Sequence, residues 1–121
     1  MNENPSDLQS RYVDPAGISW TPSQFPGIET KVLWSEPGGR STILFKLAPG
    51  AVVPAHTHAD VEQTWVLSGT FEDDEGSATT GHYIWRPEGN HHEARSPTGA
   101  VILSFFGKPN VFDEPTEFYT D

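Results

Sequence analysis

Three residues near the middle of the chain have the types and the spacing of metal ligands. His56, His58 and Glu62 lie close together in a segment patterned as strand, turn and strand. Side chains in a strand alternate between its two faces, so His56 and His58 project to the same side. Glu62 keeps the same parity if the chain turns at 59–60 and then resumes as a strand. The pattern predicts that two imidazoles and one carboxylate meet at one site.

A fourth candidate ligand, His92, comes from a segment distant in sequence. A metal held by all four residues would therefore cross-link the fold as well as take part in chemistry. Neutral imidazoles and a carboxylate suit Fe(II), Mn(II), Ni(II), Co(II) or Zn(II), and ligand type alone does not choose among them. Four protein ligands leave open positions on a five- or six-coordinate metal and none on a tetrahedral one.

The composition describes one globular domain that has no thiol chemistry. The 121 residues are enough for a single core, and the absence of cysteine leaves only nitrogen and oxygen as metal ligands. A net charge of −10 with seven Lys and Arg argues against nucleic acid or an anionic membrane as partner. No run approaches the roughly 18 apolar residues of a membrane span, and residues 1–7 do not resemble a secretion signal. We therefore expect a cytoplasmic protein.

Prolines and glycines divide the chain into short segments. There are eleven of each, and no segment keeps a helical apolar period for three turns. Short strands with turns between them favour an all-β sandwich or barrel. The predicted strands are 30–34, 41–47, 62–67, 70–72, 82–85, 91–95 and 101–106.

The two ends of the chain are predicted to be arms around a barrel that spans residues 18–112. The arms are residues 1–17 and the acidic segment 113–121. Tyr12, Phe118 and Tyr119 give them apolar surface that prefers to dock, which favours a homodimer.

The barrel also needs an apolar lining. Trp65 has the opposite parity to Glu62, which predicts outer packing or an interface, whereas Thr64 and Val66 share the face of Glu62. An apolar pocket around a metal favours a small, largely apolar ligand. The candidates for the lining are Phe45, Leu47, Trp65, Val66, Tyr83, Trp85, Leu103, Phe105 and Phe106.

Two interlocking motifs resemble those of the cupins, a family of small β-barrels. The first motif is a glycine, His-x-His, a glutamate and a second glycine, and it is met by Gly50, His56, His58, Glu62 and Gly69. The resemblance implies an all-β fold, a single-domain cupin (RmlC-like jelly-roll) β-barrel.

The second cupin motif is met by Gly81, Pro87, Gly89 and His92. Its usual asparagine is Ser96 here, which is expected to weaken only a turn contact. The motif register selects His92 as the ligand, so His91 is predicted to lie at the surface or behind the ligands, and His82 to be structural.

Segments outside the motifs narrow the resemblance. Trp20-Thr21-Pro22 and Gly39-Arg40-Ser41-Thr42 are similar to sequences of the cupins grouped with the zinc-binding C-terminal domain of the ChrR anti-sigma factor and with acetylacetone-cleaving dioxygenases. The resemblance implies a non-haem Fe(II) dioxygenase-like enzyme that binds O2 and a small dicarbonyl or hydroxyketone. A second hypothesis is a zinc-binding sensory or structural module, although this sequence contains no helical sigma-binding segment. A third is a metal-dependent isomerase, lyase or hydrolase without redox chemistry.

Glu62 has two functions open to it. It could ligate the metal beside His56, His58 and His92, or it could act as the base that takes the acidic proton of a 1,3-diketone. The structural alternative is a salt bridge to Arg86 or Arg95. Because imidazole must be neutral to bind metal, metal affinity is expected to fall as the pH drops through about 6.5.

Overall fold

The computed structural model describes residues 8–114, and these form an all-β fold, as the turn pattern predicts. A short 3-10 turn at Pro15–Gly17 precedes the strands. The ten strands are β1 (Thr21–Pro22), β2 (Ile28–Ser35), β3 (Ser41–Leu47), β4 (Ala51–Thr57), β5 (Glu62–Glu72), β6 (Ser77–Thr79), β7 (Tyr83–Arg86), β8 (His91–Ser96), β9 (Ala100–Phe106) and β10 (Val111–Phe112). Within residues 8–114, no helix is long and apolar enough to cross a membrane.

The strands form one curled antiparallel sheet with the order β1-β2-β3-β9-β5-β8-β4-β10. Strand β5 is the longest and connects the two halves of the sheet. Its first residues pair with β7 and β9, and its last residues pair with β6 and β8. The core lies inside the curl, where Val66 and Ala94 have no exposed surface.

The pairing of β4 with β8 brings together residues that are distant in sequence. His56 of β4 lies directly opposite His92 of β8. The register of this pair shifts between Val53 and His56, where Pro54 interrupts the strand. Proline cannot donate a ladder hydrogen bond, so within a sheet it is tolerated only at positions such as this irregularity.

Two predicted strand boundaries were wrong. Residues 62–67 and 70–72 belong to the single strand β5, which continues through Gly69. Gly69 has a φ of +85°, and a Cβ there would lie 1.9 Å from the carbonyl oxygen of Gly99. The register with β9 shifts between Val66 and Ser68, and Gly69 marks a close backbone approach rather than a turn. The predicted strands also omit β4, although its histidines were placed on a strand.

The predicted lining is only partly confirmed. Leu47, Val66 and Phe106 are buried, and Phe45 packs against the core. Trp65 is about half exposed, in agreement with its predicted parity, and Tyr83 and Trp85 are also exposed. In β9 the buried positions are Ala100, Ile102, Ser104 and Phe106, so Leu103 and Phe105 point to the opposite face. The parity predicted on β5 is thus confirmed, whereas both lining candidates on β7 and two of the three on β9 were wrong.

The described part of the N-terminal arm is exposed. Leu8 and Tyr12 have relative exposures of 82% and 95%. Phe118 and Tyr119, on which the prediction of a docking C-terminal arm rests, lie outside the described residues. The homodimer stays a prediction.

Candidate metal centre

Three buried histidines converge inside the curled sheet. His56, His58 and His92 have relative exposures of 2%, 1% and 8%, and each can offer a ligand atom within 4.8 Å of the others. Their ring centroids are 4.6–5.0 Å apart. The Nε2 atoms of His58 and His92 are separated by 3.0 Å. The structure therefore brings together the three histidines that the sequence selects, at distances that could hold a metal ion.

In each of the three rings, Nδ1 lies close to an oxygen atom. His56 Nδ1 is 2.7 Å from the carbonyl oxygen of Pro54, which can only accept, so this nitrogen donates and Nε2 keeps its lone pair. His58 Nδ1 is 3.0 Å from Oε1 of Glu62, and His92 Nδ1 is 2.9 Å from Oδ2 of Asp73. Hydrogen-bond partners commonly orient metal-binding histidines, and Pro54 and Asp73 have that position here, whereas His58 Nδ1 makes no hydrogen bond with Glu62 despite the short distance. This chemistry fits a divalent cation, because the nitrogens that face one another are the potential ligands.

Glu62 is buried beside this group, and its two oxygens have different neighbours. Oε1 is 3.0 Å from His58 Nδ1 and 3.8 Å from Arg86 Nε. Oε2 accepts a hydrogen bond from Thr64 Oγ1, which is in turn 2.8 Å from Ser104 Oγ. Among residues 8–114, the group whose ligand atoms lie within 4.8 Å of one another comprises the three histidines and does not include Glu62. The salt bridge to Arg86 that the sequence raised as an alternative is present, and Arg95 pairs instead with Glu72.

Burial has opposite effects on the carboxyl group and on the imidazoles. It raises the pKa of Glu62 to about 7, against the effects of Arg86 and Thr64. It lowers the pKa of His56 to about 4 and that of His58 to about 3, and it is also the main cause of a lowered pKa at His92. His56 and His58 are therefore neutral, and thus able to bind metal, well below neutral pH. The sequence predicted that metal affinity falls as the pH drops through about 6.5, and this pH is too high for His56 and His58.

Sequence reasoning missed one charged residue of the centre, Asp73. It follows β5, where the run Asp73-Asp74-Glu75-Gly76 indicates only a turn. In the structure, Asp73 is 8% exposed and contacts both His92 and Arg86. Burial would raise the pKa of Asp73, but hydrogen bonds from the Glu75 N–H, from His92 and from Arg86 outweigh it and lower the pKa. No local sequence signal distinguishes this aspartate from an ordinary turn residue, because its partners come from β7 and β8.

A cavity of about 810 Å³ opens onto the centre. His56, His92, Glu62 and Arg86 contribute to its wall. Most of the remaining inner wall is apolar and includes Phe25, Phe45, Phe71, Ile102, Phe106 and Phe112. The volume lies in the range that proteins use for small organic ligands. Phe25, Phe71 and Phe112 were absent from the predicted lining.

The other two histidines lie apart from the centre, as the motif register predicts. His91 is exposed, and its Nε2 is 2.8 Å from Asp113 Oδ2. His82 is also exposed, and its Nδ1 accepts a hydrogen bond from the backbone N–H of Thr79. Ser96, which stands in place of the usual asparagine, is fully buried and donates to the carbonyl oxygen of Thr70.

Solved structures with the same fold include enzymes and a regulatory complex. A proposed acetylacetone dioxygenase from Methylibium petroleiphilum PM1 is 22% identical with a TM-score of 0.83, covering 95% of this chain and 87% of that one. An acetylacetone dioxygenase from Acinetobacter johnsonii is 20% identical with a TM-score of 0.77, covering 94% and 83%. The anti-sigma ChrR in complex with Rhodobacter sphaeroides SigE is 22% identical with a TM-score of 0.66, covering 75% of this chain and 49% of that one.

A comparison with curated proteins finds no match. A family model for the ChrR cupin-like domain matches residues 8–110, which is most of the chain. The buried histidines and the curled antiparallel sheet agree with that match. The chain belongs to the family of ChrR cupin-like domains, within the cupin superfamily.

Proposed function

We propose that this protein is a non-haem Fe(II) enzyme that uses O2 to cleave a C–C bond in a small dicarbonyl or hydroxyketone. The observation that carries the proposal is a three-histidine group beside a largely apolar cavity whose wall includes His56 and His92. Three nitrogen ligands leave positions for both substrate and O2 on a six-coordinate ion. When bound, iron would supply redox chemistry with O2 and would act as a Lewis acid toward a chelating enolate.

Glu62 has the properties of the base that this reaction needs. It faces the cavity, and its raised pKa of about 7 lies close to working pH, where a general base is most effective. The hydrogen bond from Thr64 to Oε2 orients the carboxylate. In this proposal Glu62 takes the acidic proton between the two carbonyl groups of the substrate, which generates the enolate.

The cavity supports a substrate that is small and largely apolar. Its volume of about 810 Å³ exceeds what acetylacetone needs, and its aromatic wall would exclude water from the reacting group. The acetylacetone dioxygenases that share this fold provide the substrate class for the first test.

The test is O2 consumption by protein that has been purified without air and reconstituted with Fe(II). We expect about one iron per chain and O2 uptake that requires acetylacetone or a related hydroxyketone. His92→Ala should abolish both iron binding and uptake, whereas the neighbouring His91→Ala should preserve both, because His91 is exposed and lies apart from the centre. An iron-loaded protein that consumes no O2 with any dicarbonyl or hydroxyketone would refute the proposed reaction.

The second candidate is the zinc-binding sensory or structural module that the sequence resemblance implies, and the match to the ChrR cupin-like domain supports keeping it. A zinc ion held by His56, His58 and His92 would then stabilise the fold or respond to a signal. Elemental analysis distinguishes the two. Tightly bound zinc, together with no O2 uptake after iron reconstitution, would support the structural or sensory function.

A further inference from the structure

We infer that Asp73, held by Arg86, is a positioning residue that fixes the orientation and the tautomer of His92. The inference rests on the metal site proposed above. It concerns two residues that the cupin motifs do not specify, one in the turn after β5 and the other at the end of β7.

The two oxygens of Asp73 have separate contacts. Oδ1 accepts hydrogen bonds from the backbone N–H groups of Glu75 and Gly76, at 2.8 and 3.1 Å. The backbone N–H of Asp73 also donates to the carbonyl oxygen of Gly76. The carboxylate is therefore fixed to its own turn through Oδ1, which leaves Oδ2 for the centre.

Oδ2 meets two buried partners. It is 2.9 Å from His92 Nδ1 and 2.7 Å from Arg86 Nη1, and Arg86 is only 5% exposed. Because Arg86 neutralises the carboxylate, Asp73 is stable as a buried anion, and an anion accepts a hydrogen bond without donating one. The hydrogen of a neutral His92 ring therefore lies on Nδ1, and Nε2 presents its lone pair toward His58 Nε2, 3.0 Å away.

The variant Asp73→Asn tests this assignment because it preserves the shape of the side chain. The two turn N–H groups favour the amide oxygen in the position of Oδ1, which puts the amide nitrogen in the position of Oδ2. Arg86 Nη1, 2.7 Å from that position in the wild type, must then move away, because both groups are donors. An amide nitrogen cannot accept a hydrogen bond, and His92 Nδ1 must then become the acceptor. The ring hydrogen moves to Nε2, where it blocks metal binding.

The tautomer is measured in the metal-free full chain from the ¹⁵N chemical shifts of the His92 ring, and affinity from competition for Co(II) with a chromophoric chelator. We expect an Nδ1–H tautomer in the wild type, an Nε2–H tautomer in Asp73→Asn and an affinity lower by about 10–100-fold. The matched control is Asp74→Asn, since the side chain of Asp74 is 99% exposed, and it should leave both measurements unchanged.

Three outcomes overturn the inference. One is an Nε2–H tautomer in the wild type, a result that requires no variant to fold. The others are an unchanged tautomer in Asp73→Asn, or an affinity within about twofold of the wild type. A wild-type protein that binds no divalent metal but has the Nδ1–H tautomer would count against the metal site and support the positioning by Asp73.

Discussion

The affinity of the centre for Co(II) should depend on pH through Glu62 rather than through the histidines. Burial raises the pKa of Glu62 to about 7, and it lowers that of His56 to about 4 and that of His58 to about 3. A proton on Glu62 must leave when a cation binds beside it. The apparent affinity should therefore fall about 30-fold between about pH 8 and about pH 5.5. Three histidines with the ordinary pKa of about 6.5 would produce a fall of about 1000-fold.

The assay is competition with a chromophoric chelator, whose own protonation is corrected for at each pH. Circular dichroism of the same samples checks that the protein remains folded. Glu62→Gln provides the matched variant, because it removes the titrating carboxyl group and preserves its size. In this variant the fall in affinity between about pH 8 and about pH 5.5 should be much smaller than in the wild type, since the pKa values of His56 and His58 lie below that range and burial also lowers that of His92.

Two results would refute this reasoning in different ways. A fall of about 1000-fold in Glu62→Gln would mean that the histidines titrate as they do in water, and that burial does not lower their pKa. An equal fall of about 30-fold in the wild type and in Glu62→Gln would mean that the proton comes from a group other than Glu62.

Two further predictions concern stability, and denaturant unfolding of the metal-free protein checks both. Gly69→Ala should lower the free energy of unfolding by at least about 3 kcal/mol, because its Cβ would lie 1.9 Å from Gly99 O. Gly50→Ala should lower it by about 1–2 kcal/mol, since Gly50 has a φ of +86° but no atom near the added Cβ. Equal losses in the two variants would contradict the close approach. Val66→Ala should lower the free energy of unfolding by about 2 kcal/mol because Val66 is fully buried. Leu67→Ala should lower it by less than about 0.5 kcal/mol, since Leu67 is 47% exposed. The reverse order would contradict the strand parity.

The sequence predicts the ligand cluster better than it predicts the fold around that cluster. Strand alternation placed His56 and His58 on one face, and the register of the second cupin motif selected His92 over His91. Motif residues keep this register even where strand boundaries are uncertain. The boundaries of β5 were missed because the Ser68-Gly69 pair has the local appearance of a turn. Position 69 requires glycine because the backbone of Gly99 and Ala100, at the start of β9, leaves no room for a Cβ. Contacts of that kind depend on which strands become neighbours.

The same reason explains why Asp73 was missed and Arg86 was found only as an alternative partner of Glu62. Arg86 lies opposite Glu62 in the pairing of β5 with β7, so a cross-strand contact could be anticipated. Asp73 has no such relation to His92 in the sequence. Its contact exists only because the turn after β5 packs beside β8, where Glu72 pairs with Arg95.

The curvature of β5 connects the fold to the centre. Glu62 and Asp73 lie at opposite ends of this strand, and an extended strand of that length would separate them by about 36 Å. Yet both carboxylates contact the same guanidinium, at 3.8 Å for Glu62 and 2.7 Å for Asp73. The strand must therefore bend, and we expect the bend where the register shifts between Val66 and Ser68, because a bulge bends its strand. Gly69 follows directly, and its lack of a Cβ allows the close approach of the backbone before β9. A substitution at Gly69 should consequently weaken metal binding as well as stability. The bend brings Glu62, beside His58, and Asp73, beside His92, to the same buried side chain of Arg86.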